Sequence, residues 1–441
     1  MLRLITQQSE ASTELKRICN RTQDDQLIHK EATVRQILLS VKRQQDRALL
    51  QFTAEFDQLI LSADDLRVRG AELDTAYQQI TKELLDAIRF AQGQIEAFHR
   101  QRQPKSWVQF GADDRVLGKR YTPVDRAGIY ISGGRATHPS TVLMNAVPAV
   151  IAGVPKIVMV TPPGPNQLIH PAVLVAAQEA GVHEIYRVGG AQAIGALAYG
   201  TETIPAVDVI TGSGNIYVTL AKKLVHGTVG IDGLNGPSEL VMIVDHTAHP
   251  KDVAADLLAQ AEQDPMAAAI LITPDSKLAS QVVTAVQQQL QAHPHRLMTE
   301  KALAHYGLGI VVNSLEDAAT LVNSFGPETL VLAIADPWSL LDQIHHAGAI
   351  LLGTTTPTAL SYCAGPNLVL PTSGAARYGS ALGVETFMKY ANIIQYSAPA
   401  LAKVAHTLDL LAQAGGFTAQ QDAVRLRTAG PLTPEQPPET Y

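Results

Sequence analysis

The sequence has little cysteine, no excess of positive charge and no sustained apolar run. Its two cysteines, Cys19 and Cys363, stand far apart and form no CxxC pair. That argues against a disulfide framework or a cysteine zinc cluster and fits a reducing compartment. A net charge of −7 leaves no broad basic field, so neither nucleic acid nor a membrane surface is an expected partner. The longest apolar stretch, 142–154, is interrupted by Asn145 and Pro148 and is too short to span a bilayer. Residues 1–17 are polar and lack the apolar segment of a secretory signal. A cytoplasmic protein is therefore expected. Short-period repeats and low-complexity linkers are also missing, which fits domains that share chain segments.

What remains is the composition of an ordinary globular chain: 441 residues, 46% hydrophobic and 17% charged, enough for two or three domains. Val34, Ile37, Leu38 and Val41 recur at helical spacing, as do Tyr77, Ile80, Leu84, Ile88, Ile95 and Phe98, so the first hundred residues read as mostly helix. From Gly128 the pattern changes to short β-rich runs alternating with helical segments. One series comprises 157–160, 185–188 and 207–210; a second comprises 240–244, 269–272, 309–312, 330–333 and 350–352. Two such series predict two α/β domains with parallel sheets. Residues 401–414 and 423–427 read as helix, followed by a loose tail with Pro431, Pro434, Pro437 and Pro438.

Gly189-Gly190 and Gly212-Ser213-Gly214 each follow a predicted strand and open a helix, where backbone N–H groups can hold phosphate oxygens. The second is a poor dinucleotide fingerprint, because Tyr217 stands where the last glycine is needed. Glycines that only make tight turns are the competing explanation. Arg135 could neutralise a phosphate or a carboxylate, or be a surface charge. Cys363 reads as a packing cysteine, with a nucleophile as the alternative. His345-His346 and the His246/His249 pair read as surface residues. Glu239 and Glu262 need no more than hydrogen bonding to backbone.

Four blocks, in order and at matching spacing, resemble the histidinol dehydrogenase family. They are Arg126–Gly134 with Pro139–Met144; Gly189–Ala193 with Thr211–Asn215; Gly236-Pro-Ser-Glu239 with Gln260-Ala-Glu-Gln263; and Phe325–Leu330 with Gly365–Thr372. The resemblance implies two Rossmann-like parallel-sheet domains with helical N-terminal and C-terminal extensions. The expected boundaries are an N-terminal helical arm over 1–24, a first α/β domain over 25–126 with 239–383, an NAD-binding domain over 127–238 and a helical extension over 384–441. It further implies an intertwined homodimer that contributes residues around Gln420 to the partner's site.

By the same resemblance, NAD contacts fall on Tyr130, Gln192 and Asn215, and substrate positions on Ser238, Gln260, Gln263, Leu368 and Gly415. The family's zinc ligands, a Gln, a His, an Asp and a His, fall on Gln260, Gln263, Ser361 and Gln420. Neutral amides and a hydroxyl are weak donors for zinc, so the metal is expected to be lost and NAD retained. The catalytic Glu-His pair becomes Glu328-Thr329. A hydroxyl cannot shuttle a proton at neutral pH, whereas Glu328 can still act as a base on water. The expectation is a zinc-free NAD-linked oxidoreductase acting on another small-molecule substrate, or poorly on histidinol. A non-catalytic binding or regulatory paralogue and an authentic L-histidinol oxidiser are the alternatives.

Overall fold

The computed structural model describes residues 2–22, 26–111, 113–133, 139–164 and 168–429. The chain divides into two units, Met1–Gln103 with Pro123–Phe387, and Pro104–Thr122 with Met388–Tyr441. The first unit contains the two parallel sheets that the strand–helix alternation predicts.

One sheet has six parallel strands in the order Arg3–Ile5, Gly307–Val311, Ala268–Thr273, Glu239–Val244, Thr329–Ala333 and Ala349–Leu352. Leu240, Met242 and Val244 point into one core, beneath helices Pro250–Ala261 and Ser276–Gln291. Val241 and Ile243 point into the opposite core, against helices Gln8–Cys19 and Leu315–Phe325. Burial on both faces explains why Glu239–Val244 and Ala268–Thr273 read as continuous apolar runs rather than alternating ones.

The other sheet has five parallel strands in the order Glu184–Arg187, Lys156–Thr161, Arg126–Tyr130, Val209–Thr211 and Gly230–Ile231. The chain winds outward to one side and then returns to the other, so strand order reverses between Arg126–Tyr130 and Val209–Thr211. In such doubly wound sheets ligands bind outside the carboxyl ends of the strands at that reversal.

Helix Gln26–Phe56, broken at Gln45 (φ 48°, ψ −127°), packs Val34, Leu38, Val41 and Leu49 into the core of the 126–231 sheet. Helices Gly70–Gln79 and Lys82–Arg100 also pack against helices of that sheet. Two expectations are corrected here. The N-terminal arm is not purely helical: Arg3–Ile5 pairs with Leu308–Ile310, and Ala11, Leu15 and Ile18 enter the first sheet's core. The single helical run read over 77–98 is two helices, parted where Thr81 caps the second by accepting from the Leu84 N–H at 3.2 Å.

In the second unit, Trp107–Phe110 and Val116–Pro123 pair antiparallel, and Met388–Gln395 lies on the other side of Val116–Pro123. Helices Ala398–Ala414 and Thr418–Thr428 follow. The strands escape a periodicity reading because they are largely exposed and show no apolar contrast. The proline-rich tail lies outside the described residues. Among the described residues no helix is long and apolar enough to cross a membrane.

Candidate active site

Tyr130 ends the Arg126–Tyr130 strand at the reversal of strand order. Its buried hydroxyl accepts from the Gly190 N–H at 3.2 Å, and burial pushes its pKa up to about 12, so it stays a neutral phenol. Gly190 opens helix Gly190–Tyr199 at φ +66°, and a Cβ there would meet Gln192 Oε1 at 2.5 Å. Gly212 has φ +103°, and a Cβ would fall 2.0 Å from the Tyr130 carbonyl oxygen. Only glycine allows this approach.

The Gly212 turn is gripped from both sides. Its N–H donates to Asp232 Oδ2 at 2.8 Å, while Lys222 Nζ donates to its carbonyl at 2.7 Å and pairs with Asp232. Both charged side chains of that pair are almost wholly buried. Asn215 is exposed and caps helix Ile216–Val225, accepting from the N–H groups of Tyr217 (3.0 Å) and Val218 (3.2 Å). Gln192 is 1% exposed, yet its Oε1 has no partner. Closely packed glycine turns therefore stand beside a buried acceptor, Gln192 Oε1, that has no partner.

A second polar centre lies at the amino ends of the first sheet's strands. Arg21 Nη1 pairs with Glu239 Oε1 at 2.8 Å, with side-chain exposures of 1% and 0%. Arg21 also donates to the carbonyls of Ile18, Pro237 and Met266. Glu239 Oε2 accepts from the Ser373 N–H at 3.1 Å, and burial outweighs Arg21 in raising its pKa. The Glu239 N–H in turn donates to Glu328 Oε2 at 2.8 Å, and the Ser238 hydroxyl donates to the same carboxyl. Glu328 as a residue is half-buried, but its carboxyl is so poorly solvated that its pKa rises to about 8, with Glu239 adding repulsion. A carboxyl tuned to that range can both give and take a proton near neutrality. Thr329 begins the adjacent strand and is half-buried.

Of the positions expected to replace metal ligands, only Gln260 and Gln263 touch each other. Gln263 Nε2 donates to Gln260 Oε1 at 3.5 Å, Gln260 Nε2 is buried without a partner, and the Ser361 hydroxyl donates to the Thr358 carbonyl. Among the described residues no three His, Cys, Asp or Glu side chains converge on one point. This donor set does not fit zinc. Leu368 is half-buried, while Gly415 and exposed Gln420 belong to the second unit.

Of the other candidates, Arg135 lies outside the described residues and Cys363 is half-buried. His345 and His346 offer their backbone N–H groups to Asn323 Oδ1, and exposed His249 lies 3.8 Å from Asp252. Glu262 lies 3.2 Å from His293. A cavity bounded by His249, Asp252, Asp256 and Thr354 and another bounded by Arg67, Arg69 and His183 include none of the predicted site residues. Sequence reading missed Arg21, Lys222 and Asp232. Lys222 left a signal: it sits four residues after Val218 and three before Val225, on the face that faces the core.

The family model described as histidinol dehydrogenase matches residues 20–428. The chain is 66% identical, over 97% of its length and 99% of the relative's, to a protein of Synechococcus sp. named histidinol dehydrogenase. The same figures hold for a Trichormus variabilis protein named histidinol dehydrogenase 2, and a Gloeobacter violaceus histidinol dehydrogenase is 60% identical over 99% and 98%. The crystal structure of histidinol dehydrogenase from Elizabethkingia anophelis superposes with a TM-score of 0.87 at 35% identity, covering 90% of this chain and 92% of that one. These identities give no support to the expectation of an outlying member.

Proposed function

The chain belongs to the histidinol dehydrogenase family, and from that premise we propose that it is an NAD-linked oxidoreductase that takes L-histidinol through the aldehyde to L-histidine. The names of relatives 60–66% identical over nearly their full length weigh toward this substrate and against a different one. The observation that carries the reading is the reversal of strand order at Tyr130 and Gly212, with the glycine turns and the unpartnered Gln192 Oε1 beside it. NAD bound there would accept hydride from the substrate carbon.

Glu328 is the base in this reading. It takes the proton of the water that adds to the aldehyde carbon, so that an O–H bond breaks as the C–O bond forms. The Ser238 hydroxyl and Glu239 N–H hold its carboxyl in place. No step is assigned to zinc, because the amide and hydroxyl donors do not suit it. Thr329 cannot supply the proton transfers of a histidine. In the alcohol step the hydroxyl proton would pass to water, without a Lewis acid or an imidazole base, as the hydride leaves the same carbon. The hydrated aldehyde would give its hydride to a second NAD.

The same replacements, with Leu368 among them, favour a second reading in which the chain binds NAD and ligand as a regulatory paralogue. A homodimer is proposed as well. It is supported by the exposed apolar side chains Phe110, Ile394, Leu411, Phe417 and Leu426 of the second unit. A cytoplasmic location completes the proposal.

The test is NADH formation by the purified protein from L-histidinol and from its aldehyde. Turnover that disappears in Glu328→Gln supports the reading. No NADH from either compound, with NAD still bound, leaves the regulatory one.

A further inference from the structure

Helix Pro139–Ala152 is buried along most of its length, yet it carries Pro148 in its interior. Proline has no N–H, so the Met144 carbonyl, four residues earlier, loses its helical donor. A carbonyl buried in an apolar core is costly unless another donor reaches it. Asn367, distant in the chain, donates Nδ2 to it at 2.6 Å. Asn367 is 4% exposed, and its Oδ1 accepts from the Val369 N–H at 2.8 Å, so both ends of the amide are engaged.

This bond joins two regions. Helix Pro139–Ala152 packs on strand Arg126–Tyr130, which ends at Tyr130. The run that follows Asn367 reaches the carboxyl centre at the amino ends of the other sheet. The Thr372 hydroxyl accepts from the Gly236 N–H at 2.6 Å, and the Ser373 N–H donates to Glu239 Oε2 at 3.1 Å. Leu370 and Pro371 close over Gly348, where a Cβ would meet them at 3.3 and 3.1 Å and the Glu328 carbonyl oxygen at 2.6 Å. One stretch, 367–373, is thus fastened at one end to the Tyr130 side and at the other to Glu239 and Glu328.

Resting on the reading of Glu328 as the base, we propose that Asn367 is a positioning residue. Its bond to the carbonyl that Pro148 leaves open sets the Tyr130 sheet and the carboxyl centre in register, so that a substrate carbon meets hydride acceptor and base together. Pro148 and Asn367 act as one device, because in a helix without the proline that carbonyl would be satisfied internally and would need no outside donor.

A double-mutant cycle of Asn367→Ala and Pro148→Ala on the full chain tests it. The readouts are melting temperature, NAD calorimetry and NADH formation from L-histidinol and its aldehyde. Pro148→Ala gives the Met144 carbonyl a donor from its own helix. Asn367→Ala should therefore lower the melting temperature with Pro148 present and much less with Pro148→Ala in place. The rate should fall about 10–100-fold in both backgrounds, the cost of reacting groups misplaced by about 1 Å, while NAD affinity stays level. A rate that recovers with the melting temperature in the double variant would overturn the proposal, since Asn367 would then only satisfy one carbonyl. Asn367→Ala that turns over as the parent does would overturn it too. If Asn367→Ala alone fails to fold, the double variant measured against Pro148→Ala decides by the same criterion. A parent that forms no NADH from either compound would overturn the function reading and the role of Asn367 with it.

Discussion

In the sheet of residues 126–231 the polar site groups gather at the carboxyl ends of the strands, around Tyr130 and Gly212. In the sheet of residues 239–352 they gather at the amino ends, around Glu239 and Glu328. The two ends offer opposite electrostatics. Carboxyl ends of parallel strands meet helix N-termini, whose free N–H groups attract phosphates. Amino ends meet helix C-termini, where carbonyls favour cations and make carboxylates reluctant to ionise. Helix Pro250–Ala261 ends there, next to Gln263. The first region is built on glycine turns at a strand end, whereas the second is built on the carboxyls of Glu239 and Glu328. Each is held by one buried ion pair, Lys222–Asp232 or Arg21–Glu239.

The largest expected effect would return the second region to the character of a cation site. Metal analysis after dialysis should find no stoichiometric zinc in the parent. The double variant Gln263→His, Ser361→Asp should gain zinc affinity, since a good site is worth roughly 10 kcal/mol. About one zinc per parent chain would contradict the asymmetry. Next in size is Glu328→Gln, which should lower acid formation by about 10²–10⁴-fold while leaving NAD affinity unchanged. In the parent, that rate should climb as pH rises through about 8, where Glu328 loses its proton.

Breaking either ion pair leaves a buried charge alone, at a cost of about 3–5 kcal/mol. Denaturant melts of Arg21→Leu and Lys222→Met should show similar losses. NAD titration should separate them, because only Lys222 holds the Gly212 turn. Equal loss of NAD binding in both would mean that the two regions are not independent.

A smaller effect concerns stability against pH. The folded pKa of Glu328 lies above the usual carboxyl value, so the native state holds its proton more tightly than the unfolded chain. Glu328 therefore costs nothing below about pH 4.5, and its penalty grows as pH rises toward about 8. Glu328→Gln should match the parent at pH 5 and exceed it by on the order of a few kcal/mol above pH 8. The smallest effect is Asn215→Ala, which removes a helix cap at a cost of about 1 kcal/mol in thermal melts.

Most of the second sheet's site was legible because it rests on local chemistry: a strand, a glycine turn and a helix start lie within a few residues at 209–216. The family blocks supplied Glu328 and the replaced ligand positions. What could not be read were pairings between distant residues. Nothing around Arg21 announces that it will meet Glu239. The edge strand Arg3–Ile5 is too short for any period to show. The Trp107–Phe110 and Val116–Pro123 strands lack the apolar contrast by which buried strands are recognised.

That edge strand bears on the order in which the molecule is made. The 126–231 sheet is contiguous in the chain, and its covering helices precede it, so it can close while synthesis continues. The 239–352 sheet has its first strand at residues 3–5 and the neighbour of that strand at 307–311. Its opening segment must wait, unpaired, until roughly three-quarters of the chain has emerged. Closing so long a loop is slow, and a waiting strand is open to wrong partners. Chaperone dependence and aggregation during synthesis should therefore belong to the half with Glu328, and the half with Tyr130 should acquire protease resistance first.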